Sequence, residues 1–292
     1  VLLITSKTRG KINGAIKKSE SGVEYMNSSY TVLVNTSDGY EDCWDPFFTM
    51  MSRHWPDLDS EIVLNTGRKE YRNTAYPRLV SSAIERHFEY KPTWSECLLK
   101  VLDQIETPLV LYLQEDYFIN TRVDSSKVLY AARHMMDQNV SHIALSKHGS
   151  FGPYNSYYDD TFQTIKKTAR YRISTQAGLW RVADLRNYLN KVENGWMFEI
   201  FGTWRSGHIN DTFLVMNFAC RDATPVISYK HTGIIKGKWY QAVVADFQEN
   251  NIEVDYARRG FYIPKPMLLS KLDVIKKLFE NKSHAIRQFF LK

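Results

Sequence analysis

The chain has 292 residues, 43% hydrophobic and 14% aromatic, which excludes a disordered polypeptide and allows one large domain or two small ones. Its formal net charge of +6 suits a phosphate-rich partner, whether nucleotide, nucleic acid or anionic membrane face, without choosing among them. No apolar run reaches the ~18 residues of a membrane span, and three widely spaced cysteines (Cys43, Cys97, Cys220) point to reduced cytoplasmic thiols rather than disulfides or zinc.

The opening VLLIT is too short for a signal-peptide core, and the polar stretch behind it lacks periodicity. Residues 1–28 are therefore set aside as an N-terminal extension. Tyr30 to Asn35 reads as a strand that ends in the polar loop NTSDGYED. CWDPFFTMMSRHW then puts large apolar residues at helical spacing, with Asp45-Pro46 at its entry. EIVLNTG gives a second short strand ending in Asn65-Thr66-Gly67. TWSECLLKVLDQIET begins with a cap residue, Thr93 or Ser95, and carries Leu98, Leu99, Leu102 and Ile105 on one face. A third strand, Leu109 to Leu113, runs straight into Gln114-Glu115-Asp116.

This alternation of strand and helix predicts an α/β fold: a mainly parallel, Rossmann-like central sheet flanked by helices. In such sheets ligands bind beyond the carboxyl ends of the strands. NTSD, LNTG and QEDY all fall at such ends, which gathers three scattered motifs into one candidate site.

The second half is more mixed. VDSSKVLYAARHMMDQ reads as a capped helix and SHIALSK as a strand. Residues 159–192 read as two strands followed by a helix, NGWMFEIFGTWRSGH as a short aromatic helix, and TPVISYKHTGIIKGKW as a strand and a Gly-punctuated loop. From Pro266 to Lys292 the pattern is one amphipathic helix. Leu268, Leu272, Ile275, Leu278 and Phe279 form its apolar stripe, and Lys271, Lys276, Lys277, Lys282 and Arg287 its charge, a combination suited to an anionic interface. With no repeat and no linker, a single domain over 29–265 plus this tail (266–292) is expected.

Adjacent carboxylates at one strand exit repel unless a cation or hydrogen-bond donors compensate them. Mg²⁺ and Mn²⁺ favour oxygen ligands and commonly bridge one or two carboxylates to a diphosphate. Glu115 and Asp116 are placed for such a clamp, against the plain alternative of two solvated turn residues.

The segments VNTSDGYEDCWDPFF, LVLYLQEDYFI, STQAGLWRVADLRNYL and GWMFEIFGTWRS together resemble a GT-A-type nucleotide-sugar glycosyltransferase of the kind bacteria use to build surface polysaccharides. The resemblance covers roughly Tyr30 to Trp239. It implies a GT-A-like fold and transfer of a sugar from a nucleoside diphosphate to a glycan or lipid-linked acceptor. The family's strand-terminal motif, Asp-any-Asp, carries metal and phosphates; here Gln114 replaces the first carboxylate, so Asp116 inherits the direct contact and Glu115 stands beside it. By the same resemblance Thr36, Ser37 and Asp38, with Asn65 and Thr66, surround the base and ribose, and Trp94 and Ser95 open the helix beside them. Gln176, Gly178, Leu179 and Trp180 match the floor of the acceptor and sugar pocket, with Trp180 as a stacking face. Glu199 takes the place of the general base of inverting members, with Asp211 or Glu193 next in line. In YKHTGIIKGKW, Lys236 and Lys238 would meet the diphosphate, and His231 would join Asp116 on a Mg or Mn ion.

Such an enzyme would be cytoplasmic, with peripheral contact at the inner membrane face through the tail. Rival readings are a nucleotidyltransferase, a non-catalytic carbohydrate- or nucleotide-binding protein, and a nucleic-acid-binding module. The last is disfavoured, because no recognition motif is present and acidic strand-end loops repel a phosphate backbone.

Overall fold

The computed structural model describes residues 29–149, 151–217, 225–264 and 266–290. The extension 1–28 and Cys220 lie outside the described residues. Cys43 is buried and Cys97 half-buried, both as free thiols.

Strand β1 (Tyr30–Asn35) sits centrally, parallel to β2 (Ile62–Asn65) on one side and β4 (Leu109–Gln114) on the other. Beyond β2 lies β3 (Leu79–Ser81). Beyond β4 come β8 (Gly178–Arg181), β5 (His142–Ala144), β9 (Phe213–Met216), β7 (Phe162–Ile165) and β6 (Tyr154–Ser156). Only β7 and β8 run against the common direction, so seven of the nine strands point one way. The expected mainly parallel sheet is present.

The strand alternation of period two decides what covers each face. Leu109, Leu111 and Leu113 of β4 join Val32 and Val34 in one core, with α1 (Trp44–His54) and α3 (Ser125–Asp137). Val110 and Tyr112 join Leu33 in the other, with α2 (Trp94–Leu102), α4 (Val182–Tyr188) and α5 (Gly195–Ser206). A strand buried on both faces explains its unbroken apolar run.

Local chemistry sets the helix starts. Thr93, not Ser95, caps α2: its hydroxyl accepts the Glu96 N–H at 3.1 Å while Glu96 accepts the Thr93 N–H at 2.9 Å, a reciprocal capping box. Asp124 caps α3, and Asn194 caps α5 by accepting the Met197 N–H at 3.0 Å.

Two expectations are corrected. The strand expected within TPVISYKH is only an isolated bridge, Tyr229 to Ile119, and the residues beyond it form a small hairpin of β10 (Ile234–Ile235) and β11 (Lys238–Trp239). A seven-residue helix, α6 (Val243–Glu249), follows. The tail is not one helix but two, α7 (Met267–Glu280) and α8 (Lys282–Phe290), broken at Asn281. Lysine and apolar spacing continue through the break, so sequence periodicity carries no sign of it.

A candidate active site at the strand carboxyl ends

Asn35, Asn65 and Gln114 end β1, β2 and β4 in one register, Asn35 facing Asn65 on one side and Gln114 on the other. Two hollows flank this row. The smaller, about 190 Å³, is lined by Asn35, Thr36, Ser37, Asn65, Thr66 and Trp94 among others. The larger, about 450 Å³, is bounded by Gln114, Tyr117, residues 174–176, Glu199 and residues 231–236.

In the smaller hollow the polar side chains are already tied together. Asn65 Nδ2 donates to Asn35 Oδ1 at 2.8 Å, the Trp44 indole N–H donates to Thr36 at 2.9 Å, and Thr66 Oγ1 accepts the Ala83 N–H at 3.0 Å. Asp38 lines neither hollow. Its carboxylate accepts the main-chain N–H groups of Gly67, Arg68 and Lys69 at 2.9, 2.8 and 3.3 Å, pinning the loop after β2 to the loop after β1. Trp94 does reach the hollow, its ring centroid 5.6 Å from that of Phe198. Ser95 does not: it is fully buried, and its N–H donates to the Glu193 carbonyl at 3.2 Å.

Glu115 and Asp116 are both buried. Asp116 Oδ2 accepts the Thr232 hydroxyl and, at 3.0 Å, the Ile234 N–H, so it holds the wall of the larger hollow from behind. Gly233 between them is required by close approach, since a Cβ there would meet the Phe118 ring at 2.2 Å and the Asp116 carbonyl at 2.9 Å. Burial raises the Asp116 pKa, and the bonds from Thr232 and Ile234 oppose that rise. Burial raises Glu115 further, with the neighbouring Asp116 charge adding to it. Arg259 and the Thr36 hydroxyl pull Glu115 the other way.

Glu199 projects from α5 into the larger hollow. Its Oε1 accepts the Thr175 N–H at 2.8 Å and the Thr175 hydroxyl at 2.9 Å. The residue keeps some exposed surface, yet protein atoms crowd its carboxyl closely enough that desolvation raises the pKa, against the lowering bonds from Thr175 and Ser174. His231 lies on the same wall and also favours the ionised form. The other two carboxylates named as bases lie elsewhere. Glu193 is fully buried against Arg205, at 2.6 and 2.7 Å, and His284, at 2.8 Å; Asp211 accepts the Tyr188 hydroxyl at 2.8 Å. Neither lines a hollow.

The acceptor-floor residues divide. Gln176 lines the larger hollow. Gly178, Leu179 and Trp180 do not, because β8 carries them into the sheet. Trp180 is 1% exposed and packs on His142 and Phe213 at 4.3 and 5.5 Å, which rules out sugar stacking on its face. Gly178 serves packing, since a Cβ there would come within 2.6 Å of the His142 ring. Lys236 lines the larger hollow and pairs with Asp273 of α7 at 2.9 Å, whereas Lys238 is exposed on β11 outside both hollows.

Among the described residues, no group of three or more His, Cys, Asp or Glu side chains converges to hold a metal ion. A cation shared with a diphosphate asks for only one or two protein carboxylates. His231 lines the larger hollow, whereas Asp116 is buried behind the wall with Oδ2 bonded to Thr232 and Ile234, so the pair could offer a shared cation at most the second carboxylate oxygen and one imidazole.

Sequence reasoning missed several participants. Tyr117 and Tyr229 stack at 4.6 Å. The Tyr117 hydroxyl donates to Gln114 Oε1 at 3.1 Å and accepts from Gln176 Nε2 at 3.0 Å, while the Tyr229 hydroxyl donates to Gln176 Oε1 at 2.9 Å. This neutral network gives a physical reason for Gln114 in place of a carboxylate. Tyr117 adjoins the QED motif and was findable there. Arg259 was not. Its guanidinium binds Asp42, donates to the Gly39 carbonyl at 2.6 Å and lies 4.8 Å from the Tyr40 ring, clamping the loop after β1 from more than 200 residues away.

No family model matches the chain, and no curated protein sequence matches it. Among solved structures, S. aureus TarS 1-349 is similar at 13% identity over 79% of this chain and 68% of that chain, with a TM-score of 0.45. The same TarS fragment in complex with UDP gives 14% identity and a TM-score of 0.46 over the same shares. Of the longer TarS structure this chain spans 41%. Glucosyl-3-phosphoglycerate synthase from Mycobacterium tuberculosis, in complex with Mn²⁺, uridine diphosphate and phosphoglyceric acid, is similar at 12% identity over 63% of this chain and 66% of that chain, with a TM-score of 0.38. These are loose likenesses of fold.

Proposed function

We propose that the chain is a GT-A-type glycosyltransferase that moves a hexose from a nucleoside diphosphate to a glycan or lipid-linked acceptor with inversion. The observation that carries this reading is Glu199, a carboxylate of raised pKa facing the same hollow as the carboxyl end of β4 and the His231–Lys236 wall. Desolvation with few compensating charges is what a general base working near neutrality needs.

In this reading the base and ribose occupy the smaller hollow beside Asn65, Thr66 and Trp94, and the diphosphate crosses the end of β4. The acceptor hydroxyl approaches Glu199 in the larger hollow. Thr175 holds Oε1, and Oε2 takes the hydroxyl proton as the acceptor oxygen bonds to the anomeric carbon. The bond from that carbon to the phosphate oxygen breaks, and the nucleoside diphosphate leaves. Lys236 and His231 meet the charge that develops there. A divalent cation, Mg²⁺ or Mn²⁺, would add charge neutralisation at the diphosphate, with Asp116 and His231 as the residues to hold it.

The tail supports peripheral contact with an anionic membrane face. On α7 and α8, Leu272, Ile275, Phe279 and Ile286 are exposed beside Lys276, Lys277 and Arg287. The side chains of Leu268 and Lys271 lie outside the described residues. No described helix is long and apolar enough to cross a membrane.

The test is thermal stabilisation by UDP, GDP, ADP and CMP with and without Mn²⁺, followed by transfer assays with the sugar forms of any nucleotide that binds. A nucleotide shift with no transfer to any acceptor favours the non-catalytic binding protein. Absence of any shift overturns the reading.

A further inference from the structure

After α6 the chain turns back towards the β10–β11 hairpin. Asp255 caps a single 3₁₀ turn, Tyr256–Arg258, by accepting the Ala257 N–H at 2.9 Å. The Gly260 N–H closes on the Tyr256 carbonyl at 2.8 Å. Residues 260–262 then run beside β11: the Trp239 N–H donates to the Gly260 carbonyl at 3.0 Å, and the Tyr262 N–H to the Trp239 carbonyl at 2.9 Å. The backbone of Arg259 is thus fixed from both sides, and its side chain is only 10% exposed.

Two walls of the candidate site meet on this guanidinium. Nε donates to Asp42 Oδ2 at 2.6 Å and Nη2 to Asp42 Oδ1, a two-pronged pair with the loop after β1. Nη2 also donates to the Gly39 carbonyl at 2.6 Å. On the hairpin side, Nη1 donates to the Gly237 carbonyl at 3.4 Å, in the turn where Lys236 and Gly237 both have positive φ, 51° and 77°. Lys236 lines the larger hollow, whereas Thr36 and Ser37, just before Gly39, line the smaller one. Arg259 also stands near enough to Glu115, at the end of β4, for its charge to oppose the rise that burial imposes on that carboxyl.

The two walls differ in their other supports. Thr36 is held by the Trp44 indole, and Asp38 by three main-chain N–H groups of residues 67–69, so the smaller hollow has fastenings of its own. The foot of the hairpin is tied to Asp116 through Thr232 and Ile234. At its tip, Lys236 pairs with Asp273 in solvent, a contact of the kind that contributes little. We infer that Arg259 is a positioning residue for the donor, locking the Lys236 tip of the larger hollow's wall to the loop beside the smaller hollow so that one rigid surface holds nucleoside and diphosphate together. The inference rests on the glycosyltransferase reading and assigns the spacing of its two hollows to a residue that lines neither.

The experiment compares the full chain as wild type, Arg259→Ala, Arg259→Lys and Asp42→Asn. UDP, GDP and ADP are titrated calorimetrically, each beside its own nucleoside. For a nucleotide that binds wild type, Arg259→Ala should weaken the diphosphate at least about tenfold, the scale of losing one charge-assisted contact, and the nucleoside by no more than about twofold. Arg259→Lys keeps the charge but cannot fork across Asp42, Gly39 and Gly237, so it should weaken the diphosphate nearly as much. Asp42→Asn keeps an acceptor oxygen and should give a smaller fall in the same direction; it carries the comparison if the Arg259 variants melt early. Amide hydrogen exchange at residues 235–239 should quicken in Arg259→Ala. Full affinity in Arg259→Lys reduces the residue to a point charge and overturns the joint. Equal loss of nucleoside and diphosphate makes Arg259 a support of the fold alone and overturns it too. Diphosphate binding in wild type that the variants leave unchanged rejects this inference and spares the transferase reading. Binding of no nucleotide by wild type rejects that reading, and the donor role of Arg259 with it.

Discussion

Thr175 donates twice to Glu199 Oε1, from its main-chain N–H at 2.8 Å and its hydroxyl at 2.9 Å. The carboxylate of α5 is thereby positioned by the segment that leads into β8, not by its own helix. Glu199→Gln keeps an oxygen for both bonds, so melting temperature and nucleotide affinity should stay near wild type. The transfer rate should fall at least about a hundredfold, in kcat far more than in KM. The raised pKa also sets the sign of the pH profile. A base works deprotonated, so kcat should climb as pH rises through a value above the ordinary 4.5. Steady-state kinetics across pH and the anomeric configuration of the product check both points. A near-normal rate in Glu199→Gln moves the base elsewhere, and a retained configuration rejects single displacement.

Asp116 holds the 232–234 loop, and substitution can separate that from the donor contact proposed for it. Asp116→Asn removes the charge, while its remaining oxygen can still accept from Thr232 and Ile234, which share one carboxylate oxygen. It should cost little stability and weaken nucleotide-sugar binding. Thr232→Val breaks one loop bond and leaves the carboxylate. If the carboxylate itself matters to the donor, Thr232→Val lowers the melting temperature but retains most of the Mn²⁺-dependent donor affinity. Equal donor affinity in Asp116→Asn and wild type with Mn²⁺ present would remove Asp116 from the clamp.

Trp180 is a packing residue. Trp180→Ala should destabilise by about 3–5 kcal/mol, the usual range for a large aromatic deleted from a core. Trp180→Phe should cost less and leave KM for the acceptor unchanged per folded molecule. Denaturant melts and acceptor titrations read the two separately. A raised acceptor KM in a stable Trp180→Phe would place the ring at the sugar after all.

The tail prediction avoids truncation, because α8 is bonded to the domain through His284 and the buried Glu193. Replacing Leu272, Ile275 and Phe279 together by Ser alters exposed side chains only. Sedimentation with phosphatidylglycerol vesicles should fall at least tenfold while the melting temperature holds. Equal sedimentation of variant and wild type would dispose of the membrane contact.

The sequence determined the first half of the fold because its signals there are local. Buried parallel strands read as apolar runs, and α2 declares its start through Thr93 and Glu96 in four residues. The polar strand ends followed for the same reason, and the register of Asn35, Asn65 and Gln114 brought them into one row. Gln176 and Glu199 stood in segments whose resemblance to glycosyltransferases already implied a pocket.

Tertiary structure decided the rest. Trp180 and Gln176 lie four residues apart in one motif, yet the entry into β8 leaves Gln176 in the hollow and buries Trp180 in the sheet. Asp38 looks like a ligand-binding residue in sequence and is consumed by three main-chain N–H groups of a loop about 30 residues away. Arg259 reaches the loop after β1 only because the chain returns there, and Glu193 is held between Arg205 of α5 and His284 of α8. A side chain's type is fixed by sequence, but its exposure and partners are set by which distant backbone packs against it. Desolvation, which raises the pKa of Glu115, Asp116 and Glu199, depends on that packing.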